Sequence, residues 1–110
     1  MDILAQIKEA VHLKNYALRP HVVAHMLSDG FFEDEILEAI EDGNVLEMYE
    51  EEFRCLIEGQ FHLSENIKEH LHIVVDYWSE RGQIDWVDIV TAYIPHRPFW
   101  ETPYKRGLKQ

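Results

Sequence analysis

Apolar residues recur every three to four positions in three stretches of the first half of the chain, which is the pattern of amphipathic helices. The first stretch covers residues 2–14 and starts behind an aspartate that can cap it. The second opens at Pro20, a residue favoured in the first helical turn, and is ended by Gly30. The third covers residues 33–41. We therefore predict helices over about residues 2–42.

The later part of the chain alternates apolar and polar residues with a period of two, which indicates β-strands. Four strand candidates follow this pattern: residues 45–50, 53–61, 71–78 and 84–94. The polar stretch 62–69 predicts a loop, and Arg81-Gly82 predicts a tight turn because glycine tolerates a positive φ. We expect the sheet to cover about residues 44–100 and to leave a basic tail at residues 101–110.

This order of elements predicts an α+β fold, with N-terminal helices packed on a roughly four-stranded antiparallel sheet. The length of 110 residues suits one domain over residues 1–110. If Arg81 and Gly82 are the central turn residues, His70 lies opposite Tyr93 and His72 opposite Thr91. The face of the two histidines then also carries Val74, Val87 and Ile89, whereas the face beneath the helices carries Leu71, Ile73, Val75, Val90 and Ala92.

The amino-acid composition limits the classes of protein to which the chain can belong. The apolar fraction of 46% suits a globular fold, and no stretch approaches the roughly 18 apolar residues that span a bilayer. The first residues lack the uninterrupted apolar core of a signal peptide, so we expect a cytoplasmic protein without membrane contact. Cys55 is the single cysteine, which excludes an internal disulfide and a cysteine-based zinc site.

The net charge of the chain is strongly negative, and its acidic and basic residues are unevenly distributed along the sequence. Twenty-one acidic and ten basic residues give a formal charge of −11, and such a field repels nucleic acid. Residues 29–58 contain twelve acids and one base, Arg54, whereas bases exceed acids after Ile94. The acidic stretch is either a solvated face or a patch for a basic partner, and the basic end is either a tail or a small anion site.

A series of spaced residues resembles a known family. The series is Pro20-His21, Met26, Ile36, Gly43, Cys55-Leu56-Ile57-x-Gly59, Leu71-His72-Ile73-Val74, Val90-Thr91-Ala92-Tyr93-x-Pro95, Trp100 and Arg106. Over about residues 15–106 it resembles the bacterial family called domain of unknown function 4258. The resemblance implies the toxin half of a toxin–antitoxin pair, with a small antitoxin protein as partner. It also implies a layout similar to RelE-like and MqsR-like messenger-RNA endonucleases, in which helices pack on an antiparallel sheet.

The resemblance also assigns residues to the expected site. The family's conserved positions match His21, His72, Tyr93, Trp100 and Arg106, with Lys105 beside the last. The chain departs from the family at His25 and Asp29, where members commonly have arginine. The absence of these two cations lowers the expected affinity for RNA, because contacts to phosphates supply much of the affinity for nucleic acid.

Metal-free RNA cleavage needs a base for the 2′-hydroxyl, an acid for the leaving 5′-oxygen and cations for the charged phosphorane. Histidine titrates near neutrality and suits both proton transfers, and aromatic rings can stack an unpaired base. We therefore predict an endoribonuclease without metal or other cofactor. Its catalytic residues are His21, His72, Tyr93 and Arg106, and its RNA-binding residues are Arg97, Trp100 and Lys105.

Each member of this set also fits an ordinary structural role, such as a half-buried strand histidine or an aromatic lid over a core edge. The spacings of His21 with His25 and of His70 with His72 permit a shared metal, but the helix lacks the HExxH glutamate, so we predict no metal site. Cys55 lies mid-strand, where a thiol usually behaves as a small core residue.

The competing class is a non-catalytic interaction module whose acidic segment 29–58 binds a basic protein partner. The acidic field and the two missing cations favour this module, whereas the His, Tyr, Trp and Arg residues favour the enzyme. A positive cleft that holds His21, His72, Tyr93 and Arg106 together would distinguish the enzyme from the module.

Overall fold

The computed structural model describes residues 2–96 and 100–107. The α-helices are α1 (Ile3–His12), α2 (Pro20–Asp29) and α3 (Glu33–Asp42). The strands are β1 (Tyr16–Leu18), β2 (Asn44–Tyr49), β3 (Arg54–Ser64), β4 (Ile67–Glu80), β5 (Gln83–Tyr93), β6 (Trp100–Thr102) and β7 (Lys105–Arg106). A short 3₁₀-helix covers Glu50–Glu52. Among the described residues, no helix is long and apolar enough to cross a membrane.

The three α-helices lie where the apolar spacing predicts them. The Asp2 carboxylate caps α1 by accepting a hydrogen bond of 2.7 Å from the Ala5 backbone N–H. Pro20 occupies the first turn of α2, and Gly30 ends that helix in the left-handed conformation with a φ of 79°. Helix caps and apolar periodicity depend on residues within one or two helical turns of each other, so they can be predicted from the sequence alone.

The main sheet has five strands in the order β1-β5-β4-β3-β2, so the prediction of four strands is wrong. The additional strand, β1, lies between α1 and α2 and pairs parallel to β5, while the other pairs are antiparallel. Helical structure also extends beyond the N-terminal part, because the 3₁₀-helix follows β2. A three-residue strand is too short to show a period of two, and its pairing partner lies about seventy residues away.

The polar stretch 62–69 is not a loop but the tip of a long hairpin, because β3 runs to Ser64 and β4 begins at Ile67. Its residues are mostly exposed. A strand with water on both faces does not need alternating apolar residues, and backbone pairing alone extends the ladder. The prediction failed because it used apolar alternation as the sign of a strand.

The turn at Arg81-Gly82 is confirmed, with positive φ angles of 55° and 78°, but the predicted register is wrong further along the ladder. His72 lies opposite Tyr93, and Val74 lies opposite Thr91. Register shifts occur at two places in β5, where an additional residue is inserted into the strand. As a result Val87 and Ile89 face the helices and are fully buried.

The helices cover one face of the sheet and form the core with it. Gly59 in β3 lets α3 lie directly on the strand, since a Cβ built there would stand 1.8 Å from the Ala39 carbonyl oxygen. The fully buried side chains of this core include Ile7, Phe31, Ile36, Ile57, Phe61, Leu71, Ile73, Val75 and Ile89.

The C-terminal residues expected to form a basic tail instead form a hairpin, with β6 paired antiparallel to β7. This hairpin lies over part of the sheet face that carries no helix. Trp100, the first residue of β6, is only 3% exposed. The Arg106 guanidinium on β7 donates to the Glu47 carboxylate on β2 at 3.0 and 2.8 Å. The hairpin brings the last part of the chain to β4 and β5, where the predicted site residues lie.

Candidate functional site

A cavity of about 420 Å³ lies between α2, the end of β5 and the C-terminal hairpin. We call it the α2–β5 cavity. The residues that line it are His21, His25, Asp29, Thr91, Tyr93, Ile94, His96 and Trp100. Its size falls within the range of small-molecule sites, about 300–1,000 Å³.

The helical wall of the cavity carries two histidines and a carboxylate. His21, His25 and Asp29 are spaced by four residues, which places them along one face of α2. The rings of His21 and His25 meet edge to face with centroids 4.8 Å apart. His25 Nδ1 lies 3.6 Å from the Asp29 carboxylate. These three side chains form a polar wall along the helix.

The sheet wall is formed by β5 and the residues after it. Thr91 and Tyr93 alternate onto the same face of the strand, and His96 follows the strand end. Burial raises the pKa of the Tyr93 hydroxyl, which therefore stays protonated at neutral pH. Trp100 supplies the third wall from the hairpin, so aromatic rings border two sides of the cavity.

His72 is fully buried beside Tyr93 and does not line the cavity. Its Nε2 lies 2.6 Å from the Pro103 carbonyl oxygen, which only accepts, so Nε2 carries the proton and donates it. Nδ1 is then the acceptor for the Tyr93 hydroxyl at 3.3 Å. The imidazole also packs edge to face on Trp100, with centroids 4.3 Å apart. Burial lowers the pKa of His72 to about 4, so the ring is neutral near pH 7.

Arg106 lies outside the cavity, over the ring of Trp100 with its guanidinium carbon 4.3 Å from the ring centroid. Its two hydrogen bonds to Glu47 hold the pKa of that carboxyl below its usual range. The cation is therefore largely balanced by an anion. Lys105 is exposed, with its ammonium 3.5 Å from the Glu101 carboxylate, an arrangement typical of surface ion pairs.

The structure brings three of the predicted site residues, His21, Tyr93 and Trp100, to one cavity. His72 and Arg106 contact Trp100 from other sides, and Lys105 does not line the cavity. The prediction for Arg97 falls outside the described residues. The chemical roles assigned to all of these residues remain predictions.

Sequence reasoning did not assign the other lining residues to the site. The sequence marks His25 and Asp29 only as departures from the family, with His25 also a candidate metal ligand, and it gives no site role to Thr91 or His96. The i, i+4, i+8 spacing on α2 is the signal that could have found the first two. No local signal marks His96, because its position depends on where the chain turns after β5.

The described residues contain no group of three or more His, Cys, Asp or Glu side chains arranged to hold a metal ion. His70 instead contacts the buried Glu58 carboxylate through Nδ1 at 2.5 Å. Cys55 is buried, and its burial raises the pKa of the thiol to about 12, which leaves it protonated and a poor nucleophile.

Comparison with known proteins gives one match. The family described as Domain of unknown function (DUF4258) matches residues 18–94, which include α2, α3 and the strands β2 to β5. The matched residues contain His21, His72 and Tyr93, whereas Trp100 and Arg106 lie beyond them. No curated protein and no solved structure matches the chain. Because the match covers well over half of its length, the chain belongs to the family Domain of unknown function (DUF4258).

Proposed function

We propose that the protein is a metal-independent endoribonuclease whose reaction takes place in the α2–β5 cavity. The observation that carries the proposal is the composition of this cavity, in which three histidines and two aromatic side chains from separate parts of the chain line a space of about 420 Å³. Imidazoles can move the protons of RNA cleavage, and the rings of Tyr93 and Trp100 offer faces for an unstacked base.

The charge of the cavity makes the proposed reaction dependent on pH. Among the described residues that line it there is one acid, Asp29, and no lysine or arginine, so with neutral histidines this lining repels a phosphate. Histidine is the side chain that gains its charge just below neutrality. His25 lies at a position where family members commonly have arginine. Because the described lining includes three histidines, the cavity gains positive charge only through imidazoles, and we expect RNA cleavage to depend on pH.

In the proposed step, neutral His21 takes the proton of the 2′-hydroxyl and the 2′-oxygen attacks the adjacent phosphorus. The bond from phosphorus to the 5′-oxygen breaks, and His25, whose Nδ1 lies 3.6 Å from the Asp29 carboxylate, acts as the general acid that gives a proton to the leaving oxygen. The products are a 2′,3′-cyclic phosphate and a 5′-hydroxyl. The separation of 4.8 Å between the two rings allows both to contact one phosphodiester.

In this proposal His72 positions other residues instead of transferring protons itself, because it is fully buried and its two nitrogens are engaged with Pro103 and Tyr93. Arg106 likewise acts through Trp100, on whose ring it lies. Both residues hold the hairpin wall of the cavity in place.

Replacing His21 with alanine is expected to reduce cleavage of a single-stranded RNA oligonucleotide by about 100-fold or more, since it removes the general base. Cleavage is measured as the release of a fluorophore from a quencher between pH 5 and 8, with EDTA present. His12→Ala is the matched control, because His12 is exposed at the end of α1 and does not line the cavity. The same oligonucleotide with 2′-deoxy sugars should stay intact. An inactive wild type, or a fully active His21→Ala variant, would refute the proposal.

The family resemblance extends the proposal to a toxin-like component of a toxin–antitoxin pair that acts on cytoplasmic RNA. Induction of the wild type in a bacterium is then expected to slow growth and fragment messenger RNA, whereas His21→Ala is not. Growth curves and transcript integrity measure both effects, with His12→Ala as the control that should behave like the wild type. Equal growth and intact messages in all three cultures would exclude the toxin role.

A further inference from the structure

A groove lies at the opposite end of β5 from the α2–β5 cavity, about 30 Å away by the rise of an extended strand. Its central part has a volume of about 380 Å³, between the start of α1, the 3₁₀-helix and the β4–β5 turn. Two smaller depressions share lining residues with this central part, and we treat the three together as the groove. The residues that line this groove are Ile3, Gln6, Glu9, Glu50, Glu52, Phe53, Tyr77, Trp78, Ser79, Gly82, Gln83 and Ile84.

The floor of the groove is apolar, and two of its aromatic side chains, Phe53 and Trp78, are exposed to solvent. Phe53 is 53% exposed, and its ring meets the buried Tyr77 ring edge to face at 6.1 Å. Its φ is 52°, in the left-handed region that a bulky side chain rarely adopts. The Phe53 carbonyl accepts a hydrogen bond of 2.9 Å from the Tyr77 backbone N–H, which helps to maintain this conformation. Backbone strain of this kind is enriched at binding sites and switch regions.

The rim of the groove is acidic. Glu9, Glu50 and Glu52 line it, and no lysine or arginine is among its described lining residues. Three cations, Lys8, Arg54 and Arg81, lie one residue from a lining residue along the chain. Lys8 donates to the Glu41 carbonyl and Arg54 is paired with Asp76. Glu50 lines the central part of the groove together with Phe53 and Tyr77, so an acidic residue adjoins the aromatic floor.

Other acids of the segment 29–58 are already engaged within the fold. Glu38 contacts His62, Glu47 binds Arg106 and Glu58 contacts His70. The 3₁₀-helix carries three consecutive exposed glutamates instead. In this part of the segment 29–58, exposed carboxylates therefore adjoin the exposed ring of Phe53.

We infer that this groove binds a lysine- or arginine-rich protein segment that carries a bulky apolar anchor. The anchor packs on Phe53 and Tyr77, and the basic side chains of the segment meet the glutamates of the rim. Charge complementarity selects this occupant over an uncharged ligand, because the whole chain carries a formal charge of −11. A central apolar contact surrounded by a polar rim is the usual arrangement of a protein interface. The inference is independent of ribonuclease activity, since the two sites lie at opposite ends of the sheet.

The test uses the full chain and synthetic fluorescein-labelled peptides of lysine and leucine, about 14 residues long with leucines at helical spacing. One companion peptide has serine in place of leucine, and another has glutamate in place of lysine. Fluorescence anisotropy in 150 mM salt gives the dissociation constants. Backbone amide shifts of the ¹⁵N-labelled protein locate the bound peptide. Sedimentation of the free protein shows whether a second copy occupies the groove.

Phe53→Asn removes the ring while asparagine tolerates a positive φ, so the variant should fold and bind the lysine–leucine peptide about 10-fold more weakly. Leu63→Asn is the matched control, because Leu63 has the same exposed fraction of 53% on the distant β3–β4 hairpin. Glu50→Lys with Glu52→Lys should also weaken binding about 10-fold. The control pair Glu41→Lys with Glu65→Lys has the same change of net charge and should have little effect.

The inference holds if Phe53→Asn and the Glu50→Lys, Glu52→Lys pair bind the lysine–leucine peptide more weakly than the wild type and the control variants do. The amide shifts must also be concentrated at the groove. It is overturned if Phe53→Asn and Leu63→Asn bind alike, or if the serine peptide binds as well as the leucine peptide, since the acidic field alone would then explain binding. Shifts at the α2–β5 cavity, equal binding of the glutamate peptide or occupation by a second copy would equally refute it.

Discussion

Replacement of Gly59 by alanine is expected to destabilise the fold by at least about 3 kcal/mol, the upper range for an overpacked core. The added Cβ would stand 1.8 Å from the Ala39 carbonyl oxygen, so α3 would have to move away from β3. This oxygen belongs to the backbone and cannot turn aside, and shortening Ala39 to glycine should not rescue the variant. Thermal unfolding followed by circular dichroism should show a fall of about 10 °C or more in the midpoint, or no folded state.

The matched control is Gly30→Ala. No atom lies within 4 Å of a Cβ built at Gly30, but its φ of 79° is left-handed. Alanine should therefore cost only about 1–2 kcal/mol there, the penalty of the backbone conformation. If Gly59→Ala and Gly30→Ala unfold at the same temperature, close contact between α3 and β3 is not what requires glycine at position 59.

Acidification from pH 7 to pH 4 is expected to remove about 3 kcal/mol of stability through His72 alone. Burial lowers the pKa of His72 from 6.5 to about 4 in the folded protein. Between these values the unfolded chain binds a proton that the folded chain does not, so stability falls as the pH falls through this window. Protonation also places a donor on Nδ1, so the Tyr93 hydroxyl can no longer donate to that nitrogen.

Urea unfolding at several pH values separates this effect from the carboxylates, whose pKa values are lowered by their own partners and which lose stability in the same direction. His72→Gln cannot titrate but can still donate to Pro103. On acidification from pH 7 to pH 4, its free energy of unfolding should therefore fall by about 3 kcal/mol less than that of the wild type. His12→Gln, at an exposed position, should follow the wild type. A histidine ring signal of His72 that titrates near 6.5 would contradict the prediction, whatever the stability of the glutamine variant.

The candidate site shows where sequence reasoning succeeded and where it could not. The family resemblance identified His21 and Tyr93, and both line the cavity. The sequence also suggested that His72 shares a sheet face with Tyr93, and the two are cross-strand neighbours. It could not show that His72 is buried, because that burial comes from the hairpin that folds back thirty residues later.

The sequence by itself determined the three α-helices, the long strands and the Arg81-Gly82 turn, because apolar periodicity, caps and glycine act over a few residues. Only the tertiary structure decided the pairing of β1, the bulges of β5 and the return of the C-terminal hairpin. Each of these depends on contacts between residues far apart in the chain, and a bulge forms where packing against the helices outweighs a regular ladder. The same long-range contacts assemble the α2–β5 cavity and the acid-rimmed groove, which is why neither site can be read from local pattern alone.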